Sequence, residues 1–165
     1  MTKIRTLVED DLPAVSAVYA HYVTGGVATF DETPPGVRDW RAKAAGIAAA
    51  GLPFLVAEVD GQVAGYAYAS RYRPKPAYRH SLEDSIYLAP GFTGRGLGRL
   101  LLGELSERVS ATDARNLIAV IADGGDPASA RLHAAFGFEE TGRLRNVGFK
   151  HGRWIDTVLF QLDLR

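Results

Sequence analysis

The chain has 165 residues and not one cysteine. Thiolate nucleophiles, disulfide frameworks and cysteine-ligated zinc are therefore excluded. A surplus of charge is missing too: 19 lysines and arginines balance 19 aspartates and glutamates. A general nucleic-acid binder would carry a basic excess, so no nucleic-acid partner is expected, although a local basic patch stays open. Long apolar runs are also absent. The start, Met1-Thr2-Lys3-Ile4-Arg5-Thr6, is polar, and no segment reaches the roughly 20 apolar residues a membrane helix needs. These absences predict a soluble, cytoplasmic protein with no membrane partner. Repeats and low-complexity stretches are lacking, and the length suits one domain over residues 1–165.

What is present is an orderly exchange of strand and helix signals. Residues 4–8 read as a short strand. Leu12-Pro13 opens a helix with Asp10 and Asp11 in its acidic first turn. Leu12, Val15, Val18, Tyr19 and Tyr22 keep helical spacing, and Gly25-Gly26 ends the run. A loop through Thr29-Phe30-Asp31-Glu32 and Pro34-Pro35-Gly36 leads to a second helix over residues 37–50. Residues 54–59 and 62–70 are strands joined by Asp60-Gly61, a strong hairpin signal. A polar link with two prolines, residues 71–76, precedes a strand over 82–88. Leu97, Leu101, Leu105 and Val109 mark the buried stripe of a third helix. Residues 117–121 are continuously apolar, which predicts a parallel strand covered on both faces. A short helix over 127–136 follows, then two strands, 141–150 and 154–164, paired around His151-Gly152.

The densest signal lies at the strand-to-helix junction Thr93-Gly94-Arg95-Gly96-Leu97-Gly98-Arg99. Glycines leave backbone N–H groups open to a close ligand. The helix that follows aims its positive end at the same place. Together they suit an anion such as phosphate, or else form an ordinary strand-to-helix turn. A Walker loop would end in Gly-Lys-Ser/Thr, whereas this chain has Gly-Arg-Leu. A dinucleotide fingerprint would carry glycine where Arg99 stands.

The spacing resembles the pyrophosphate loop of the GNAT superfamily of N-acetyltransferases, with Thr93 where the family pattern has Gln or Arg. Three further segments resemble the phosphinothricin and methionine sulfoximine N-acetyltransferase branch: residues 77–87, residues 129–138 and residues 148–156. Thr29-Phe30, followed by an acidic, proline-rich loop, adds to the likeness. Asp126 stands where that branch usually has Asn. The resemblance covers nearly the whole chain. It implies an α/β (α+β) GNAT fold: a mixed, mostly antiparallel central sheet with a splayed central strand, flanked by helices. It implies acetyl-CoA as cofactor, held by Ile86, Tyr87, Leu88, Thr93, Gly94, Arg95, Gly96, Leu97, Gly98, Arg99, Asp126 and Ser129, and no metal. Homodimers are common among such relatives.

Amine acetylation needs a base, because an ammonium has no lone pair. Glu83 begins the strand that leads to the glycine loop. By itself it is either a base with a pKa raised by partial burial or a glutamate paired with Arg79; the resemblance points to the base. His133 stands where many superfamily members have a tyrosine proposed to protonate the leaving thiolate. Imidazole can donate a proton, or the residue can orient a neighbour beside the cofactor, and both readings stay open. Arg71, Arg73, Lys75 and Arg79 form a basic cluster before Glu83. Arginine forks match carboxylate, phosphinate or phosphonate oxygens; a solvated loop is the plainer reading. Arg71 and Arg73, two apart, would share a face if the strand reached them. Phe30 and Tyr78 could wall the substrate pocket or lie in the core. Lys150, Trp154 and Asp156 would shape the pocket or a dimer contact.

The leading expectation is therefore direct acetyl transfer, in a ternary complex, to the α-amine of a small glutamate-like amino acid such as phosphinothricin or methionine sulfoximine. The alternatives are another small amine, a protein N-terminus, or a non-catalytic acyl-CoA sensor.

Overall fold

Every residue from Met1 to Arg165 is described by the computed structural model. Strand β1 (Thr2–Thr6) is followed by helices α1 (Leu12–Gly25) and α2 (Val37–Ala49). Strands β2 (Phe54–Val59), β3 (Gln62–Arg71) and β4 (Ser81–Leu88) come next, then helix α3 (Leu97–Ser110), strand β5 (Asn116–Asp123) and helix α4 (Ala128–Ala135). A long hairpin of β6 (Glu139–Lys150) and β7 (Arg153–Asp163) ends the chain. Both predicted hairpin turns place two consecutive residues at positive φ, Asp60 and Gly61 in one and His151 and Gly152 in the other, as a type I′ turn requires.

Strand alternation sorts the core into two layers. Leu55, Ala57, Ala67, Ala69, Leu82, Leu117 and Ala119 turn to one face and pack under Leu101, Leu102, Leu105 and Val109 of α3. Phe54, Val56, Tyr66 and Tyr68 turn to the other, where Leu12, Val15, Val18, Tyr19 and Val23 of α1 and Trp40 and Ile47 of α2 cover them. One layer is aliphatic and the other largely aromatic. Tyr19 and Trp40 meet edge-on at 5.3 Å between ring centroids, and Trp40 meets Tyr66 at 5.6 Å.

The seven strands run in the order β1-β2-β3-β4-β5-β7-β6. All neighbours are antiparallel except β4 and β5, which are parallel and pair only through Ser81–Asn116, Leu82–Leu117 and Glu83–Ile118. Beyond these pairs the strands diverge. This is the mixed, splayed sheet the resemblance implies. No helix is long and apolar enough to cross a membrane.

Three local expectations change. The first strand ends at Thr6, not at residue 8. The Val8 N–H donates to Asp11 Oδ2 at 2.8 Å, which turns the chain away from the sheet. Asp11 does not lie in the first turn of α1 but just before it. It is buried and takes two bonds from Arg5, at 2.7 and 2.8 Å. β5 is covered on one face only: Leu117 and Ala119 are sealed while Val120 is 40 % exposed. Its partial separation from β4 opens the other side.

Candidate active site

The diverging strands enclose a cavity of about 500 Å³. Its walls are residues 83–88 of β4 and 119–122 of β5. Tyr22, Val27 and Ala28 close one side, and Ser129, Leu132 and His133 of α4 the other. Where β4 and β5 cease to pair, the backbone groups that would have met across them face this space. The Tyr22 hydroxyl donates to the Leu88 carbonyl oxygen at the cavity edge. Gly124 keeps the far loop close: a Cβ there would run into Val27.

At one end of the cavity lies the glycine loop. Gly94 and Gly96 have φ of 74° and 81°, and a Cβ at either would meet nothing within 4 Å. Their backbone is open on that side. Gly96 precedes α3 in the left-handed conformation with no side-chain cap, so the first N–H groups of the helix lack side-chain partners. Arg95 and Arg99 are exposed beside them. Thr93 and Gly98 line the cavity. Gly98 has a packing reason as well, since a Cβ would come within 3.2 Å of Leu132 Cδ2. Leu97 turns its side chain into the core, leaving only its N–H for a ligand. Ile86, Tyr87, Leu88, Asp126 and Ser129 line the cavity. The Asp126 carboxylate also accepts from the Ala128 N–H at 3.0 Å, so part of its acceptor capacity caps the start of α4.

Glu83 and Asp84 both touch the cavity, from opposite faces of β4. Glu83 is half-buried. Burial pushes its carboxyl above the ordinary value, and the neighbouring Asp84 adds to this, while Lys43 and Arg73 pull it back. It lies across the strand pair from Ser70, on the aromatic face. Lys43 of α2 sits over the Tyr68 ring at 5.0 Å on that same face. Asp84 faces α4, where its Oδ2 meets His133 Nε2 at 2.8 Å. The other ring nitrogen, Nδ1, bonds the Ser129 carbonyl oxygen at 2.7 Å. His133 thus lies beside the cavity with both ring nitrogens engaged, and no N–H is left to point inward.

The basic cluster does not act as a unit. Arg71 closes β3 opposite Leu82 and, with Arg79, lines a separate pocket of about 250 Å³ near Thr112 and Asp113. Arg73 alone is near enough to Glu83 to influence it. Its guanidinium covers the Tyr72 ring at 5.2 Å, and Tyr72 meets Tyr78 edge-on at 5.9 Å. Phe30, Arg71, Arg73 and Tyr78 are not among the cavity walls. Phe30 lies on Gly148, where a Cβ would overlap its ring. Lys150 is buried and donates to the Thr29 carbonyl oxygen at 2.8 Å. These two contacts pin the loop between α1 and α2 to β6. That loop also carries Asp31 and Thr29, both hydrogen-bonded to the Tyr19 hydroxyl.

The acetyltransferase (GNAT) family model matches residues 15–138, from within α1 to just past α4. The chain belongs to the GNAT acetyltransferase family. It is 53 % identical over 161 residues to the phosphinothricin N-acetyltransferase of Alcaligenes faecalis, covering 98 % of this chain and 82 % of that one. It is 38 % identical to the L-methionine sulfoximine/L-methionine sulfone acetyltransferase of Pseudomonas aeruginosa, over 93 % of this chain and 90 % of that one. A phosphinothricin acetyltransferase from Sinorhizobium meliloti, solved with acetyl-CoA, superposes with a TM-score of 0.94 at 44 % identity, over 98 % of this chain and 88 % of that one. As a GNAT enzyme the chain is an N-acetyltransferase, and GNAT enzymes use acetyl-CoA. The cavity fits such a group: two separated strand edges suit a long polar arm, and uncapped helix N–H groups beside open glycines suit phosphates.

Asp84 and Lys43 escaped the sequence reading. Asp84 could have been suspected from the Glu83-Asp84 pair, whose members must face opposite ways on a strand. Nothing local to Lys43 signals its place.

Proposed function

We propose that this GNAT enzyme acetylates the α-amine of a small amino acid carrying a second, oxygen-rich anionic group, such as phosphinothricin or methionine sulfoximine. The observation that carries the reading is Glu83. It is a half-buried carboxylate with a raised pKa at the edge of the splayed cavity, with two cations, Lys43 and Arg73, acting on it. The names of the relatives agree with this substrate class.

Acetyl-CoA would supply an acetyl group already activated as a thioester. Gly94, Arg95, Gly96 and the N–H groups of Leu97, Gly98 and Arg99 would hold its phosphates. The unpaired edges at Ile86, Tyr87 and Leu88 would hold its arm, with Asp126 and Ser129 on the far wall. Glu83 takes the amine proton, directly or through water, because its raised pKa brings it nearer the pKa a base needs at neutral pH. A β4 N–H left unpaired where β4 and β5 part would stabilise an oxyanion. Transfer is direct, since the chain offers no thiol to carry the acetyl group. Arg73 and Lys43 attract the substrate anions, and Phe30 and Tyr78 border the approach. The enzyme works in the cytoplasm as a homodimer. The dimer reading rests on Leu144, Val147, Phe149 and Trp154, apolar side chains all at least half exposed along the β6–β7 hairpin.

The test is release of free thiol from acetyl-CoA with phosphinothricin, methionine sulfoximine and an uncharged amine of similar size. The two anionic substrates should give the higher kcat/KM. Preference for the uncharged amine would move a general small-amine role ahead, and no thiol release with any of the three would move a different acceptor, such as a protein N-terminus, ahead.

A further inference from the structure

Two buried ionisable side chains face each other where α4 meets β4. The side chains of Asp84 and His133 are each 2 % exposed and 2.8 Å apart. The Ser129 carbonyl, 2.7 Å from His133 Nδ1, can only accept, so Nδ1 carries a proton. A buried carboxylate is costly without an opposite charge. One proton lies between Nε2 and Asp84 Oδ2, and in the ion-pair form Nε2 carries it opposite the carboxylate. The Phe138 ring seals the imidazole edge-on at 4.9 Å. The β5 wall over residues 119–122 is Ala-Val-Ile-Ala and brings no charge. Glu83 lies on the opposite face of β4, and Arg131 of α4 is exposed. Asp84 is the one charged side chain that answers the ring.

We propose that Asp84 is a positioning residue: it holds His133 doubly protonated, with both N–H bonds turned away from the cavity, and so clamps α4 to β4 as one wall of the acetyl-CoA site. The proposal rests on the acetyl-CoA reading of the cavity. It removes His133 as proton donor to a departing thiolate and gives it a role in cavity shape. Burial alone would lower the His133 pKa; the bond to Asp84, the Asp84 charge and the Ser129 carbonyl outweigh that and raise it.

The experiment is a long-range ¹H–¹⁵N spectrum of the histidine rings of the full chain, titrated from about pH 5 to about pH 9. His133→Gln identifies the signal among the four histidines. His133 should keep the imidazolium pattern through neutral pH, and Asp84→Asn should lower its midpoint by at least about one pH unit, the scale of a lost charge partner. Asp84→Asn should also raise KM for acetyl-CoA about tenfold, as for one lost charge-assisted bond, with a smaller change in kcat. A wild-type spectrum in which none of the four rings keeps the imidazolium pattern at pH 7 overturns the proposal and needs no variant to fold. An unmoved His133 midpoint or an unmoved KM in folded Asp84→Asn also overturns it. An enzyme without acetyltransferase activity would sink the functional reading while the ring spectra still decide the clamp.

Discussion

On one face of β4, Asp84 is sealed against His133 and tied by a 2.8 Å bond. On the other, one residue earlier, Glu83 is half-buried and makes no ion pair. The same acidic chemistry meets two environments because successive strand residues point to opposite faces. The aliphatic face, with α3 and α4, fixes its carboxylate. The aromatic face, with α1 and α2, leaves its carboxylate free to gain and lose a proton. In the proposed reaction, structural and chemical duties are divided between these adjacent residues.

The sharpest way to break this contrast is Glu83→Gln, which keeps shape and removes the base. The amine-dependent rate should fall by about 10²–10⁴, and raising the pH should partly restore it by supplying free amine. A wild-type rate near neutral pH would make the two carboxylates alike. The next test separates the arginines. Arg73→Ala should raise KM for phosphinothricin roughly ten- to a hundredfold, the value of a charge-assisted bond, and lysine there should rescue only in part. Arg71→Ala should change it by less than about twofold, because Arg71 lines another pocket and exposed charges count for little. Equal effects would restore the cluster as a unit.

The glycines give a smaller, divided effect. Gly98→Val should destabilise by about 1–3 kcal/mol through overpacking against Leu132. Gly96→Ala should cost about 1–2 kcal/mol for its left-handed φ and weaken acetyl-CoA binding measured by calorimetry. Smallest is the pH response of stability, read from urea unfolding. His133 has a raised folded pKa, so its contribution is complete below the ordinary imidazole value and fades as pH rises through the folded one. At Asp11, burial pushes the carboxyl up, but the Arg5 and Val8 bonds outweigh it and lower the pKa. That contribution is complete above the ordinary carboxyl value and fades as pH falls through the folded one. Asp84→Asn should erase the alkaline limb and leave the acid limb.

The elements were legible because their signals are local. Hairpin dipeptides such as Asp60-Gly61 and the leucine stripe of α3 need no distant partner. Leu7 and Val8 look like strand residues and extend the expected first strand, while the bond that bends the chain comes from Asp11. The apolar run of β5 predicts cover on both faces because it does not reveal that its neighbour pairs with three residues and then departs. Glu83 and the glycine loop stood out as contiguous patterns. The Asp84–His133 pair spans 49 positions, and Lys43 reaches the site from another helix, so neither was visible. Arg71 and Arg73 looked alike because two-residue spacing predicts a shared face only while the strand continues, and β3 ends at Arg71.

The brief parallel seam at Ser81–Glu83 and Asn116–Ile118 makes the sheet two plates joined at one corner: β1 to β4 on one side, β5, β7 and β6 on the other. A ligand lying along both free edges would act as a rivet. Its binding free energy would appear as rigidity between the plates, and backbone amides of residues 84–88 and 119–123 should slow their exchange together when the edges are bridged.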